Sequence, residues 1–248
     1  MRDMLNITAH SGNDGTTDDS LEAIEAGIYF GADAVEVDVR INKNGVLVLS
    51  HDEDTEKMYK GHPHLAEAFD LVIRNGKIAI NCDVKEIETI SAILDLAAEK
   101  GIDSEKLILT GSVTPFALEE NPAILKQSSV WINIEECLHH LCRTCDEMET
   151  IIDRCLRLGI RVLNMPCMET TIAFIPLMKE RGIMASVWTV NEEEPLKQIF
   201  GLGVLNVTTR NTRLAVETRK ASTEKSRRSP YDTSSISKVS HHSYHFLK

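Results

Sequence analysis

VEVDVRINKNGVLVLSHD, residues 35–52, alternates with period two at its start. Val35, Val37 and Val39 fall on one side and Glu36, Asp38 and Arg40 on the other, the spacing of a β-strand. Lys43-Asn44-Gly45-Val46 then marks a tight turn, because both central residues of a type I′ turn need positive φ, and VLVLS resumes the strand. A two-residue turn at Asn44-Gly45 pairs Lys43 with Val46 and sets Asp38 opposite His51, with Cβ atoms roughly 5 Å apart. Two carboxylates and an imidazole then converge on one small volume. An E-x-D alone is usually a solvated sheet face. Ala34–Val39, however, is apolar enough for a buried strand, where charges need a partner or a metal.

On either side of this hairpin, strand and helix alternate. Leu5–His10 reads as a strand ending in a histidine. Asp19-Ser20 and Glu22 open a helix that stops at Gly31. Leu65–Arg74 is helical, Ile78–Val84 a strand ending in Asp83-Val84-Lys85, and Ile87–Lys100 an amphipathic helix. Strands are expected at 106–110, 130–134, 161–165, 185–190 and 204–208. Helices are expected at 115–125, 146–158, 170–181, 192–200 and 212–220. With the hairpin as an excursion after strand 2, eight parallel strands remain, each followed by a helix. That is an α/β TIM (β/α)8 barrel. A doubly wound open sheet also alternates strand and helix, but every candidate functional residue here ends a strand, where barrel sites assemble.

The 248 residues suit one such domain, with 42% hydrophobic and 26% charged residues. No run approaches the roughly 18 apolar residues of a membrane span, so no transmembrane segment is expected. The N-terminus lacks an apolar signal core, and six cysteines suit reduced thiols in a cytoplasmic protein. Net charge is −11. From Val216 onward seven Lys/Arg stand against three acids, which leaves −15 on the body. Such a surface argues against nucleic acid as a partner. Residues 1–220 are read as the barrel and 221–248 as a polar basic tail too poor in apolar residues to form a core.

Glu36, Asp38 and Asp83 together offer three hard oxygen ligands, the preference of a divalent cation such as Mg²⁺ or Ca²⁺. Lys85 shares a face with Asp83, where a salt bridge to Glu36 or Asp38 is as reasonable as a contact with substrate. His10 and His51 beside a metal suit general base and general acid work on a phosphodiester. The motifs His10-Ser11-Gly12, Asp18-Asp19-Ser20-Leu21-Glu22-Ala23, Glu36-Val37-Asp38, His51-Asp52, Asp83-Val84-Lys85 and Trp188-Thr189-Val190-Asn191 run in the order found in glycerophosphodiester phosphodiesterases, and the chain resembles a divergent member of that TIM-barrel family. The resemblance implies metal-dependent hydrolysis of glycerophosphodiesters to glycerol phosphate and an alcohol. It implies His10 and His51 as the acid/base pair, Glu36, Asp38 and Asp83 as metal ligands, Lys85 as a phosphate contact and Trp188 as a wall of the substrate pocket.

The chain departs from the family pattern at several of these places. Ser11 stands where the family has arginine; it is kept as a substrate-binding position, but a bidentate phosphate contact is lost there. Arg40 and Arg210 are the candidates to replace that charge. Asp18-Asp19 replace Glu-Asn, Asp83 is one methylene shorter than the family glutamate, and Thr209-Arg210-Asn211-Thr212 replaces Thr-Asp-x-Pro. These changes open two alternatives: action on another small phosphodiester or a lysophospholipid, and a non-catalytic metal- or phosphate-binding barrel. Cys137, His139, His140, Cys142 and Cys145 carry one C-x-x-C with no second to complete a zinc site, so structural thiols are expected. His62 and His64 are read as surface residues.

Overall fold

The computed structural model describes residues 5–56, 58–137 and 144–228. In chain order its first half carries β1 (Asn6–Ala9), α1 (Leu21–Phe30), β2 (Ala34–Ile41), β3 (Leu47–Leu49), α2 (Leu65–Asn75), β4 (Ala79–Val84), α3 (Ile90–Lys100) and β5 (Leu107–Gly111). There follow α4 (Pro115–Glu120), α5 (Ile124–Gln127), β6 (Ser129–Asn133), α6 (Cys145–Leu158), β7 (Val162–Pro166), α7 (Glu169–Ile172) and α8 (Ile175–Glu180). The chain ends its described part with β8 (Met184–Trp188), α9 (Glu193–Gly201), β9 (Asn206–Thr209) and α10 (Thr212–Arg228). The strands neighbour one another in the order β1-β9-β8-β7-β6-β5-β4-β2, and β1 pairs with β2 to close the ring. Those eight strands are parallel, which makes the fold a TIM barrel.

The alternation in β2 has a direct cause in this closure. Val35, Val37 and Val39 face out into the main apolar core against the helices. Ala34, Glu36 and Asp38 belong to the other face, the barrel lumen. The lower lumen is filled by a separate small cluster of Ala34, Ile108, Trp131 and Val162. Above it the lumen is polar: the Thr8 hydroxyl donates to Asn206 Oδ1 at 2.9 Å, Asn81 Nδ2 to Glu36 Oε2 at 3.3 Å, and Asn164 Nδ2 to Asn133 Oδ1 at 2.8 Å. Buried polar groups with partners in this way cost little, and they floor a site at the strands' C-terminal ends.

The hairpin corrects the expected register. Its pairs are Val39–Leu49, Arg40–Val48 and Ile41–Leu47, so Ser50 and not His51 stands opposite Asp38, with Ser50 N donating to Asp38 O at 2.9 Å. The loop has three residues, not two. Asn42 Oδ1 accepts from the amides of Asn44 and Val46 at 2.9 and 3.0 Å, and Gly45 alone takes positive φ, +80°. A short polar side chain capping the turn thus displaces the Asn-Gly type I′ geometry, and one residue of slip exchanges the faces.

Three helices also differ from expectation. Residues 115–125 break into α4 and α5 because Pro122 lacks an amide and its predecessor Asn121 leaves the helical region. Residues 170–181 split into α7 and α8, with Pro176 in the first turn of the second. The last helix runs on to Arg228 and so crosses the boundary expected at residue 220. Its Arg219 donates to Leu5 O at 2.8 Å and pairs with Asp33, tying the helix to the foot of β1. Residues 229–248 lie outside the described residues.

Candidate active site

A cavity of about 290 Å³ opens at the C-terminal mouth of the barrel. His10, Glu36, Asp38, His51, Asp83, Lys85 and Trp188 all line it. Seven of the eight residues expected from sequence therefore meet in one space, contributed by β1, β2, β4, β8 and the segment after β3. The eighth, Ser11, lies buried immediately behind His10.

Glu36 and Asp83 approach across β2 and β4, whose register sets Glu36 beside Asn81 and Asp38 beside Asp83. Burial, with the charges of Asp83 and Asp38, pushes the Glu36 carboxyl well above the usual carboxylate range. Burial also raises Asp83, against the opposing pull of Lys85. For Asp38 burial, the largest single cause, acts upward too, but Lys85 together with hydrogen bonds from Asp19 and Ser11 outweighs it and the net shift is downward. Lys85 Nζ lies 2.7 Å from Asp38 Oδ1 and also pairs with Asp83. One ammonium thus serves three closely set acids. That excess of buried negative charge and the all-oxygen donor set fit a hard divalent cation. With Lys85 between Asp38 and Asp83, no three carboxylate, imidazole or thiol groups among the described residues enclose a common point.

Asp19 holds the two halves of the site together. Its Oδ1 accepts from Asp38 N at 3.2 Å and its Oδ2 from His51 N at 2.7 Å. It reaches both from a left-handed backbone, φ +55°, a region that aspartate tolerates better than most residues. Burial and the neighbouring Asp38 raise its carboxyl to about 7. Arg40 completes the clamp, its Nη2 donating to His51 O at 2.9 Å and its Nη1 lying 3.4 Å from Glu86. His51 therefore reaches the cavity through backbone bonds made past the end of β3, despite the register slip. No local pattern in the sequence marks this role of Asp19.

His10 Nε2 lies 3.8 Å from Glu36 Oε1, and its Nδ1 lies 3.2 Å from Ser11 Oγ and 3.4 Å from the amide of Gly12. Burial, followed by the nearby Arg210 guanidinium, lowers the imidazole to about 4. Arg210 is held by both oxygens of Asp18, at 2.7 and 3.0 Å, and donates to Gly12 O at 3.1 Å. A Cβ at position 12 would lie 1.8 Å from Asp18 Oδ1, so a larger residue there would push Asp18 away from Arg210. Of the two candidate replacement cations, Arg210 is thus placed beside His10 and Arg40 braces His51. An NMR titration should find the His10 ring protonating near pH 4. Arg210→Gln should move that midpoint upward, since a cation that opposes protonation is gone, but short of 6.5 because burial, the larger cause, remains. A wild-type midpoint near 6.5 would contradict this electrostatic picture.

Beside the cavity lies a wider cleft of about 830 Å³ that shares His51 and is lined by Asp18, Asp19, Asp52, Tyr59 and His62, among others. His62 also bonds Leu49 O at 2.8 Å, and His64 precedes α2 as its cap. The Cys137–Cys145 stretch has residues 138–143 outside the described residues. Cys137 Sγ lies 4.0 Å from Asn133 O, in keeping with a structural thiol.

Solved structures share this fold. A glycerophosphodiester phosphodiesterase from Parabacteroides distasonis is 17% identical, with TM-score 0.70, covering 91% of this chain and 100% of its own. One from Thermotoga maritima is 24% identical, with TM-score 0.63 and coverages of 86% and 97%. An Oleispira antarctica phosphodiesterase, solved with the product sn-glycerol-3-phosphate, is 17% identical, with TM-score 0.71 and coverages of 88% and 97%. No curated protein matches the chain. Residues 10–126, which carry His10, Glu36, Asp38, His51, Asp83 and Lys85, match the model of the glycerophosphoryl diester phosphodiesterase family.

Proposed function

We propose that the protein hydrolyses glycerophosphodiesters to glycerol phosphate and an alcohol. The observation that carries this reading is the meeting of two histidines, three carboxylates and one lysine in a single cavity at the barrel mouth. Glu36, Asp38 and Asp83 would hold a divalent cation, Mg²⁺ or Ca²⁺, which supplies positive charge to the non-bridging phosphate oxygens. Lys85 offsets the charge that develops on those oxygens.

The histidines move the protons. His10 is neutral at physiological pH, the state that a general base requires. Ser11 Oγ stands 3.2 Å from His10 Nδ1, and the Gly12 amide donates to the same nitrogen at 3.4 Å, so the loop after β1 orients the ring. His10 removes the proton of the attacking nucleophile as it bonds to phosphorus, the bond from phosphorus to the leaving alcohol breaks, and His51 protonates the departing oxygen. Ser11 becomes a positioning residue, and Arg210 supplies positive charge at the rim in place of the missing family arginine.

The cavity lining favours a small polar ester over a lysophospholipid. Val84 and Trp188 are its only large apolar members among the described residues, the others being Gly111, acids, amides, hydroxyls, histidines and Lys85. A cytoplasmic setting is supported by the free thiols of the described cysteines, and no described helix is long and apolar enough to cross a membrane. Phosphorus NMR of glycerophosphocholine incubated with the protein and a divalent cation should show the diester resonance give way to that of glycerol phosphate. A diester signal that persists unchanged would overturn the reading in favour of a binding barrel.

A further inference from the structure

Two polar atoms in the cavity wall are buried and lack a hydrogen-bond partner among the described residues: Glu135 Oε2 and Trp188 Nε1. Both residues line the cavity. Glu135 follows β6 in the turn Ile134–Glu136, and Trp188 ends β8. In the ring these strands are two apart, separated by β7, and both lie across from β2. The acids and Lys85 therefore form one side of the cavity, and this unpartnered pair belongs to the other.

Buried polar atoms without partners are uncommon and costly, so two in one functional cavity call for a ligand. They are also complementary, since an indole N–H only donates and the second oxygen of Glu135 accepts when ionised. Burial raises the Glu135 carboxyl, with the charges of Glu136 and Asp83 adding to the shift. A hydroxyl suits a carboxyl in either protonation state because it both donates and accepts. An ammonium group can answer Glu135 but not Trp188, for it has nothing with which to accept; a quaternary ammonium forms neither bond. A pair of hydroxyls offers both functions, one to exchange a hydrogen bond with the carboxyl and one to accept from the indole N–H.

We propose that Glu135 and Trp188 Nε1 form an acceptor–donor pair that recognises the free hydroxyls of the polyol end of the substrate, and so set specificity for glycerol over unsubstituted alkyl esters. This inference rests on the reading of the cavity as a phosphodiester site. Lys85 and the acids take the phosphate end, and Glu135 and Trp188 take the diol.

The test compares glycerophosphocholine with propyl phosphocholine, which has the same leaving group and no hydroxyls. Wild type should favour the glycerol ester in kcat/KM by roughly tenfold or more, the effect of one well-placed hydrogen bond to a buried polar group. Glu135→Leu should remove most of that preference, chiefly through KM, and Glu135→Gln, which keeps an acceptor oxygen, should restore part of it. Trp188→Phe should weaken it while keeping the ring. Equal losses on both esters, or a wild-type preference below about twofold, would overturn the proposal. The first of those results would assign Glu135 to the shared choline end or to the fold. Calorimetric binding of sn-glycerol 3-phosphate and propyl phosphate separates this inference from the activity. Tighter binding of glycerol phosphate that depends on Glu135 supports the inference even without turnover, and equal binding of the two overturns it.

Discussion

His51→Ala is expected to lower kcat by about 10²–10⁴-fold and to leave the unfolding midpoint unchanged. The side chain is 66% exposed, and its described contact is with Asp52, 2.9 Å away. What holds the segment is its backbone, through Asp19 Oδ2 on the amide and Arg40 on the carbonyl. Alanine keeps both bonds. The imidazole is thus free of structural duty and lines the cavity, where in the proposed reaction it would protonate the leaving alkoxide. Steady-state kinetics beside a thermal melt check this. Unchanged kcat would remove His51 from the chemistry, and a lowered midpoint would show that its ring supports the fold.

Lys85→Met should produce the largest change in stability, and one that a metal reverses. In chelator the variant is expected to lose roughly 3–5 kcal/mol, the cost of breaking a buried ion pair by deleting one partner. Asp38 and Asp83 lose their shared ammonium, while Glu36 stays buried beside them with its carboxyl already pushed up. A divalent cation bound by the three acids should recover much of the loss by stabilising the folded state. It should stabilise the variant more than the wild type, where Lys85 competes for the same oxygens. Activity should stay low, since the phosphate loses its lysine contact. Denaturant unfolding with chelator and then with Ca²⁺ or Mg²⁺ measures both effects. No recovery with either cation would argue against a metal among these acids.

Much of this arrangement was legible in the sequence because a barrel leaves period-two and helical signals with glycine stops between them. The polar inner face of β2 was visible as E-x-D against three valines, since a closed parallel sheet exposes one face to the lumen and the other to the helices. The hairpin register was not legible. It turned on whether the turn had two or three residues, and the Asn42 side chain decided that by capping the amides of Asn44 and Val46. The breaks at Asn121 and Phe174 were missed because a helical pattern continues across prolines that the backbone cannot follow. The parts of the site that depend on distant loops were hidden as well. Asp19 reaches Asp38 and His51 from 19 and 32 residues away, and Arg210 meets Asp18 from 192. Local spacing carries no trace of such pairs.

The central claim is that phosphodiester cleavage depends on the buried acids as metal ligands. Its most direct test is release of glycerol phosphate from glycerophosphocholine by wild type and Glu36→Ala, first in chelator and then with Mg²⁺ or Ca²⁺ restored. Turnover is expected only in wild type and only with metal. Turnover by wild type that persists undiminished in chelator, or by Glu36→Ala at the wild-type rate, would contradict it.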